Sequence, residues 1–223
     1  MELSKLINKE SYLYSYYFVK EIILMLLILL AITFNYKKKV RILKYIKIIL
    51  IISLIIIIIF FRNNLKLKRM DKEVLISPCS SKVVNIKRED GKYKILTWLS
   101  PLDRHFMIAP TDCEVIKIEK LLHKGDAERT RVTFKDKKGY KFTLDQIVKK
   151  PMSGYGVFGG WIPKVFYKNR IITTCKVGDK LKRGERWGLI RFGSNMYYRL
   201  PESYKINIEE NKRYSLGERI GEM

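Results

Sequence analysis

The chain has 223 residues, with 45 Lys and Arg against 22 Asp and Glu, a formal net charge of +23 and 47% hydrophobic residues. This length and composition suit one or two compact domains, and exclude a small disulfide knot, a collagen-like repeat and a disordered polyelectrolyte. The aliphatic content lies largely before Arg62, in runs such as Ile22–Phe34 and Ile48–Phe61, so the sequence reads as a membrane segment joined to a charged domain.

Neither aliphatic run alone reaches the roughly 20 residues that cross a bilayer. Extended by interfacial residues, they give two expected transmembrane helices at about 18–36 and 43–61. Lys20, Glu21, Lys44 and Lys47 then lie near span ends and reach for the headgroups, and Tyr12, Tyr14, Tyr16, Tyr17 and Tyr36 read as interfacial aromatics. The basic connector from Lys37 to Arg41 is too short for a domain, so the spans form a hairpin that returns the chain to its starting side. Two spans without a small-residue cleavage site argue against a secretory signal peptide.

The expected domains are therefore a membrane anchor, 1–61, and a β-rich domain, 62–223. Basic charge on both ends of the second span leaves the positive-inside rule undecided. The three cysteines, Cys79, Cys113 and Cys175, are odd in number, widely spaced and in no CxxC pair. They point to a reducing compartment, with the domain cytoplasmic, and away from a zinc site or any other metal; they read as small, semi-buried hydrophobes.

Residues 62–223 hold 36 basic and 19 acidic residues, an excess that suits an anionic partner. Beside a membrane segment the expected partner is an anionic lipid surface, where each Lys or Arg contributes about 1 kcal/mol. A basic nucleic-acid binder is the weaker reading, for no helix-turn-helix, zinc-finger or stacking motif is visible.

After Arg62 short β-branched runs follow one another: Lys82–Lys87, Tyr93–Leu99, Glu114–Lys120, Arg129–Phe134, Tyr140–Leu144, Arg170–Thr174, Trp187–Phe192 and Lys205–Ile208. Runs of this length and spacing predict a mainly β barrel or sandwich, with turns at Asp90-Gly91, Lys138-Gly139 and Gly178-Asp179. The Gly-rich stretch 153–160 reads as a surface loop. An internal echo, Gly184-Glu185-Arg186-Trp187-Gly188 against Gly217-Glu218-Arg219-Ile220-Gly221, suggests two equivalent corners in a pseudo-symmetric barrel.

The run from Gly184 to Ser194, ending Arg191-Phe192-Gly193-Ser194, resembles the self-cleavage region of the phosphatidylserine decarboxylase family. Further segments match in the family's order. Phe60-Phe61-Arg62-Asn63-Asn64 is similar to its Phe-Phe-Arg-Asp-Pro junction, and Ile76 to Val83 to its Ser-Pro-Ala-Asp-Gly-Lys-Val segment. Leu99-Ser100-Pro101-Leu102-Asp103-Arg104-His105-Phe106-Met107-Ile108-Ala109-Pro110 is similar to its Leu-Ser-Pro-x-Asp-x-His-x-x-Arg-Ala-Pro segment. Glu128-Arg129 stands where the family has Asn-Glu-Arg.

The resemblance implies cleavage between Gly193 and Ser194, with Ser194 converted into a covalent pyruvoyl group, the cofactor. Gly193 lacks a Cβ, so its carbonyl is open to close approach by the Ser194 hydroxyl. It implies a carboxy-lyase that makes phosphatidylethanolamine from phosphatidylserine or a close serine phospholipid, with the two cleaved chains staying associated. His105 is the implied general acid/base or carboxylate-positioning group, its unperturbed pKa near 6.5 suiting proton transfer. His123 has no motif around it and reads as a surface loop residue.

The departures from the family pattern are informative. Ser80 occupies the place of the aspartate that helps orient the histidine, Ser81 that of a glycine, Ile108 that of an arginine, Ala127 that of an asparagine and Asn195 that of an arginine. Ser80 and Asp103 are thus candidate orienting residues, with Asp112 a substitute carboxylate. The alternative reading is a degenerate family member that binds anionic phospholipid at the membrane without turnover.

Overall fold

The computed structural model describes residues 20–35, 41–60, 73–100, 103–122, 128–148, 171–190 and 194–223. The chain divides into two compact units, Met1–Asn64 and Leu65–Met223.

In the first unit, Leu and Ile runs without Gly or Pro form helices α1 (Lys20–Asn35) and α2 (Arg41–Phe60), which pack against each other. The Lys47 ammonium sits 4.3 Å from the centre of the Phe34 ring. Helix α1 has 16 residues, about 24 Å at 1.5 Å per residue, and α2 carries Arg41, Lys44 and Lys47 in its first two turns. Two helices stand where spans were expected, yet no helix among the described residues is long and apolar enough to cross a membrane. The outer ends of those spans, Phe18, Val19, Tyr36 and Phe61, lie outside the described residues.

The second unit is mainly β. Its strands are β1 (Val74–Ile76), β2 (Ser81–Glu89), β3 (Lys92–Leu99), β4 (Phe106–Ile108), β5 (Cys113–Leu122), β6 (Glu128–Asp136), β7 (Lys141–Val148) and β8 (Ile171–Thr173). They continue as β9 (Lys180–Leu181), β10 (Arg186–Ile190), β11 (Ser194–Pro201), β12 (Lys205–Ile206), β13 (Arg213–Tyr214) and β14 (Arg219–Glu222). Eight of them form one antiparallel sheet in the order β13-β2-β3-β11-β7-β6-β5-β9; β1-β14-β12 and β4-β10-β8 form two small sheets. Asp90 and Gly91, both at positive φ, make the tight β2–β3 turn, as the Asp-Gly signal predicts.

The internal echo is structural. Gly217 N–H donates to the Ser77 carbonyl and Ser77 N–H to the Glu218 carbonyl, while Gly184 N–H donates to Ala109 and Ala109 N–H to Glu185. Ile76 N–H donates to the Pro110 carbonyl and Ile108 N–H to the Pro78 carbonyl, each at 3.0 Å, so the corners hold each other reciprocally. Val83 and Val115 repeat the pattern one strand further, donating to the Lys212 and Asp179 carbonyls. Gly184 and Gly217 both take positive φ, where a side chain would be strained. Each carboxylate after them, Glu185 and Glu218, accepts the amide three residues earlier, that of Lys182 or Ser215.

The core lies between the large sheet and the small ones. Trp187 of β10 meets Phe134 of β6 edge-on at 5.4 Å, and Phe134 stacks on Phe142 of β7 at 5.2 Å. The Trp187 indole N–H, fully buried, donates to the Ile108 carbonyl at 3.0 Å, satisfying the one polar atom that so large an apolar group brings inside.

Candidate active site

Strand β11 is central in the large sheet. It pairs with β3 from Ser194 opposite Leu99 to Pro201 opposite Lys92, and with β7 from Asn195 opposite Ile147 to Arg199 opposite Thr143. Met196, Tyr198 and Leu200 alternate into the core, as a half-buried strand requires. Of the expected run Trp187–Phe192, β10 holds the part up to Ile190, Arg191 and Phe192 lie outside the described residues, and Ser194 opens the next strand, β11. Gly193 lies outside the described residues, as do His123 and the Gly-rich stretch 153–160.

His105 immediately precedes β4 and is 1% exposed. Its carbonyl accepts the amide of Ile190 at 2.8 Å, so the fold places this histidine against the last residue of β10, four positions before Ser194. Its Nδ1 is 2.7 Å from the Asp103 carbonyl oxygen. A carbonyl only accepts, so Nδ1 carries the proton and the neutral ring has its basic lone pair on Nε2.

The candidate orienting carboxylates are held by other groups. Asp103 accepts the Ser100 amide at 2.7 Å and the Arg213 guanidinium at 2.5 Å. Its side chain closes a turn and ties it to β13, while its backbone carbonyl orients the imidazole. Ser80 Oγ accepts the Leu216 amide at 3.0 Å. Asp112, at the equivalent place in the other corner, accepts the Arg183 amide at 2.8 Å and the Lys137 ammonium at 2.5 Å. Burial opposes the Asp112 charge, but Lys137 and the Arg183 amide outweigh it and hold the carboxyl below its ordinary value. Ser80 is therefore a corner cap, a task that a hydroxyl oxygen fulfils.

Two neighbouring residues of β7 stand out. Asp145, fully buried, accepts from Arg199 at 2.9 Å, from Arg131 at 3.0 Å and from Arg129 Nε at 2.9 Å. Three guanidiniums compensate one carboxylate, and Arg129 and Arg199 also lie over the Tyr197 ring. The next residue, Gln146, is equally buried, yet neither its Oε1 nor its Nε2 has a hydrogen-bond partner among the described residues. Such a group costs about 1–3 kcal/mol for each unmet atom.

The three cysteines are buried free thiols. Cys79 Sγ lies 2.9 Å from Tyr198 Oη and donates to Ser81 Oγ. Burial pushes its pKa up to about 11 and raises that of Cys113 as well, so neither is a nucleophile near neutral pH. A basic cleft of about 700 Å³, lined by Asp112, Lys135, Lys137, Lys138, Lys180 and Lys182 among others, includes neither His105 nor Ser194.

The phosphatidylserine decarboxylase family model matches residues 54–222. The chain belongs to this family. It is 28% identical over 180 residues to a putative archaetidylserine decarboxylase proenzyme of Methanothermobacter thermautotrophicus, covering 72% of this chain and 77% of that one. It is 32% identical over 163 residues to a phosphatidylserine decarboxylase proenzyme of Amoebophilus asiaticus, covering 69% and 70%. A phosphatidylserine decarboxylase proenzyme of Geotalea uraniireducens is 26% identical over 177 residues, covering 72% and 76%. No solved structure matches.

The family match spans every strand from β1 to β14, and within it lie both Ser194 and His105. Gln146 and the Asp145 cluster were missed by sequence reasoning. The signal for Gln146 was present: Phe142, Leu144, Gln146 and Val148 alternate along β7, so a polar side chain stands in an inward register.

Proposed function

We propose that this chain is a self-processing decarboxylase of serine phospholipids, yielding the ethanolamine form through a pyruvoyl group made from Ser194. The observation that carries this reading is the family match across residues 54–222, which contains the Phe192-Gly193-Ser194 segment. The residues fit such a group. Ser194 supplies its three carbons at the head of a central strand, and a buried carboxamide without a partner lies on the adjoining strand.

In the proposed processing, Ser194 Oγ bonds to the Gly193 carbonyl carbon, the peptide C–N bond breaks, and the hydroxyl proton passes to the nitrogen. Loss of the Ser194 Cα proton then expels the Gly193 carboxylate, and one water releases the nitrogen as ammonia. Once formed, the pyruvoyl carbonyl supplies the electron sink for loss of carbon dioxide from a serine headgroup. His105 contributes proton transfer at Nε2, with Nδ1–H held by the Asp103 carbonyl. Because β11 lies between β3 and β7, ladder bonds on both sides favour retention of chain 194–223 after cleavage.

The reading includes membrane attachment through residues 18–36 and 43–61 as a hairpin, with the β domain on the cytoplasmic side, and an anionic phospholipid as substrate. Exposed Leu24, Ile28 and Ile32 on α1 and Ile49, Ile52 and Ile55 on α2 support it, since lipid would remove this apolar surface from water.

Intact mass spectrometry of the full chain purified in detergent is the test. The expected products are chains 1–193 and 194–223, the second lighter by one ammonia than a peptide beginning with serine. The Ser194→Ala chain should stay whole. A parent chain that remains uncleaved after prolonged incubation would overturn the proposal.

A further inference from the structure

Along β7 the buried positions Phe142, Leu144 and Val148 pack the core, and an apolar residue at 146 would do the same. The chain instead places a carboxamide there, fully buried, with both polar atoms unmet among the described residues. Gln146 stands opposite Met196 in the β7–β11 ladder, so Ser194, two positions along β11, is its diagonal neighbour. At that separation, about 7–8 Å between Cα atoms, long side chains still reach across. From the other layer Gly188 of β10 closes on the same carboxamide: a Cβ at residue 188 would stand 2.7 Å from Gln146 Nε2. Glycine inside a strand weakens it, and is found where another group approaches closely. Here the approaching group is the amide.

We infer that Gln146 is a further catalytic residue of self-cleavage, its Nε2–H donating to the Gly193 carbonyl oxygen as Ser194 Oγ attacks. This rests on the reading of Ser194 as the processed serine. When the Oγ–C bond forms, the carbonyl oxygen takes up negative charge; when the C–N bond breaks, that charge returns to the new ester carbonyl and the hydroxyl proton goes to the Ser194 nitrogen. A donor held ready in a dry interior stabilises the charged stage more than the resting peptide. That is the behaviour expected of an amide left without a partner in the uncleaved chain, and it gives a reason to keep a polar group in a register that packing alone would fill with an apolar one.

The experiment follows the appearance of chain 194–223 by mass, alongside the thermal midpoint, in the full-length parent and in Gln146→Met, which keeps the shape and removes the donor. Processing should slow by about 10²–10³-fold, the usual loss for one such donor, with an unchanged or higher midpoint because a buried unmet polar group has gone. Should Gln146→Met fold poorly, Gly188→Ala displaces the amide by the added Cβ, and it too should slow processing at an intact midpoint. Parent-rate processing in the well-folded variant would overturn the inference and leave Ser194 as the processed residue. A parent chain that never cleaves would remove both.

Discussion

The corner that carries His105 and the corner that carries Glu73 are built by the same backbone bonds and do different things. The His105 carbonyl accepts the Ile190 amide at 2.8 Å, and the Glu73 carbonyl accepts the Met223 amide at 3.0 Å. In the first corner the residue is a buried imidazole beside the strand that leads to Ser194. In the second it is an exposed carboxylate paired with Lys138 at 3.1 Å. Other equivalent places diverge likewise: Asp112 and Ser80 both cap an amide, Gly188 faces a side chain where Gly221 faces backbone, and Thr111 stands where the other corner has Cys79. Because the scaffold is shared, a difference between equivalent positions separates chemistry from architecture.

The largest effect should come from the first pair. On protein already processed, His105→Ala should lower turnover by about 10²–10⁴-fold if Nε2 transfers a proton, whereas Glu73→Ala should stay within about twofold, the usual result at an exposed site away from the chemistry. Decarboxylation kinetics on mass-verified samples check this. Parent-rate turnover in processed His105→Ala would erase the functional distinction between the corners and leave His105 a structural residue.

Much of this was legible in the sequence, for particular reasons. Each of the eight β-branched runs overlaps a strand, because alternation is a local signal that survives whatever the strand pairs with. The Gly-Glu-Arg echo marked the two corners because positive φ after a polar turn leaves a glycine in both copies. The short strands β1, β4, β9, β13 and β14 were not legible: they hold two to four residues each, and what makes them strands is pairing with distant chain, as β1 does with β14. Strand β11 carries its alternation openly, yet none of the eight expected runs covers Ser194–Pro201. Of the site, the histidine and serine were marked by motif. The corner cap by Ser80 depends on Leu216, 136 positions away, a distance at which local pattern carries no information.

The paired glycines give the next test. A Cβ on Gly221 would stand 2.5 Å from the Lys205 carbonyl oxygen and 3.0 Å from Ile206 Cα, so the β12–β14 ladder itself must give. Gly221→Ala should cost about 1–3 kcal/mol, the usual penalty of forcing atoms into a filled core. A Cβ on Gly188 meets only the flexible end of Gln146, which can turn away, so Gly188→Ala should cost less than about 1 kcal/mol. Urea unfolding of both variants beside the parent orders them. The reverse order would mean that Gly188 is held by backbone packing and that room for the Gln146 amide is incidental.

The smallest effect concerns Cys79 and Thr111. The Cys79 thiol is pushed by burial from an ordinary 9.0 to about 11, against the opposing pull of hydrogen bonds with Ser81, Tyr198 and Thr97 and with a smaller upward push from the Asp103 carboxylate. Between those two values an unfolded chain has lost the thiol proton while the folded chain still holds it. The unfolded state thus binds fewer protons, and stability must fall as pH rises through that window. At pH 10 the contribution is about 1 kcal/mol; Cys113 and Tyr198, both raised mainly by burial, act in the same direction. Cys79→Ala should flatten the decline in urea midpoint between pH 8 and pH 10 without abolishing it, because Cys113 still titrates. Thr111→Ala, at the equivalent place without a titrating group, should leave the slope of the parent. Equal slopes in the parent and Cys79→Ala would show that this thiol is ionised as readily in the fold as out of it, and the two corners would then be alike in their response to alkali.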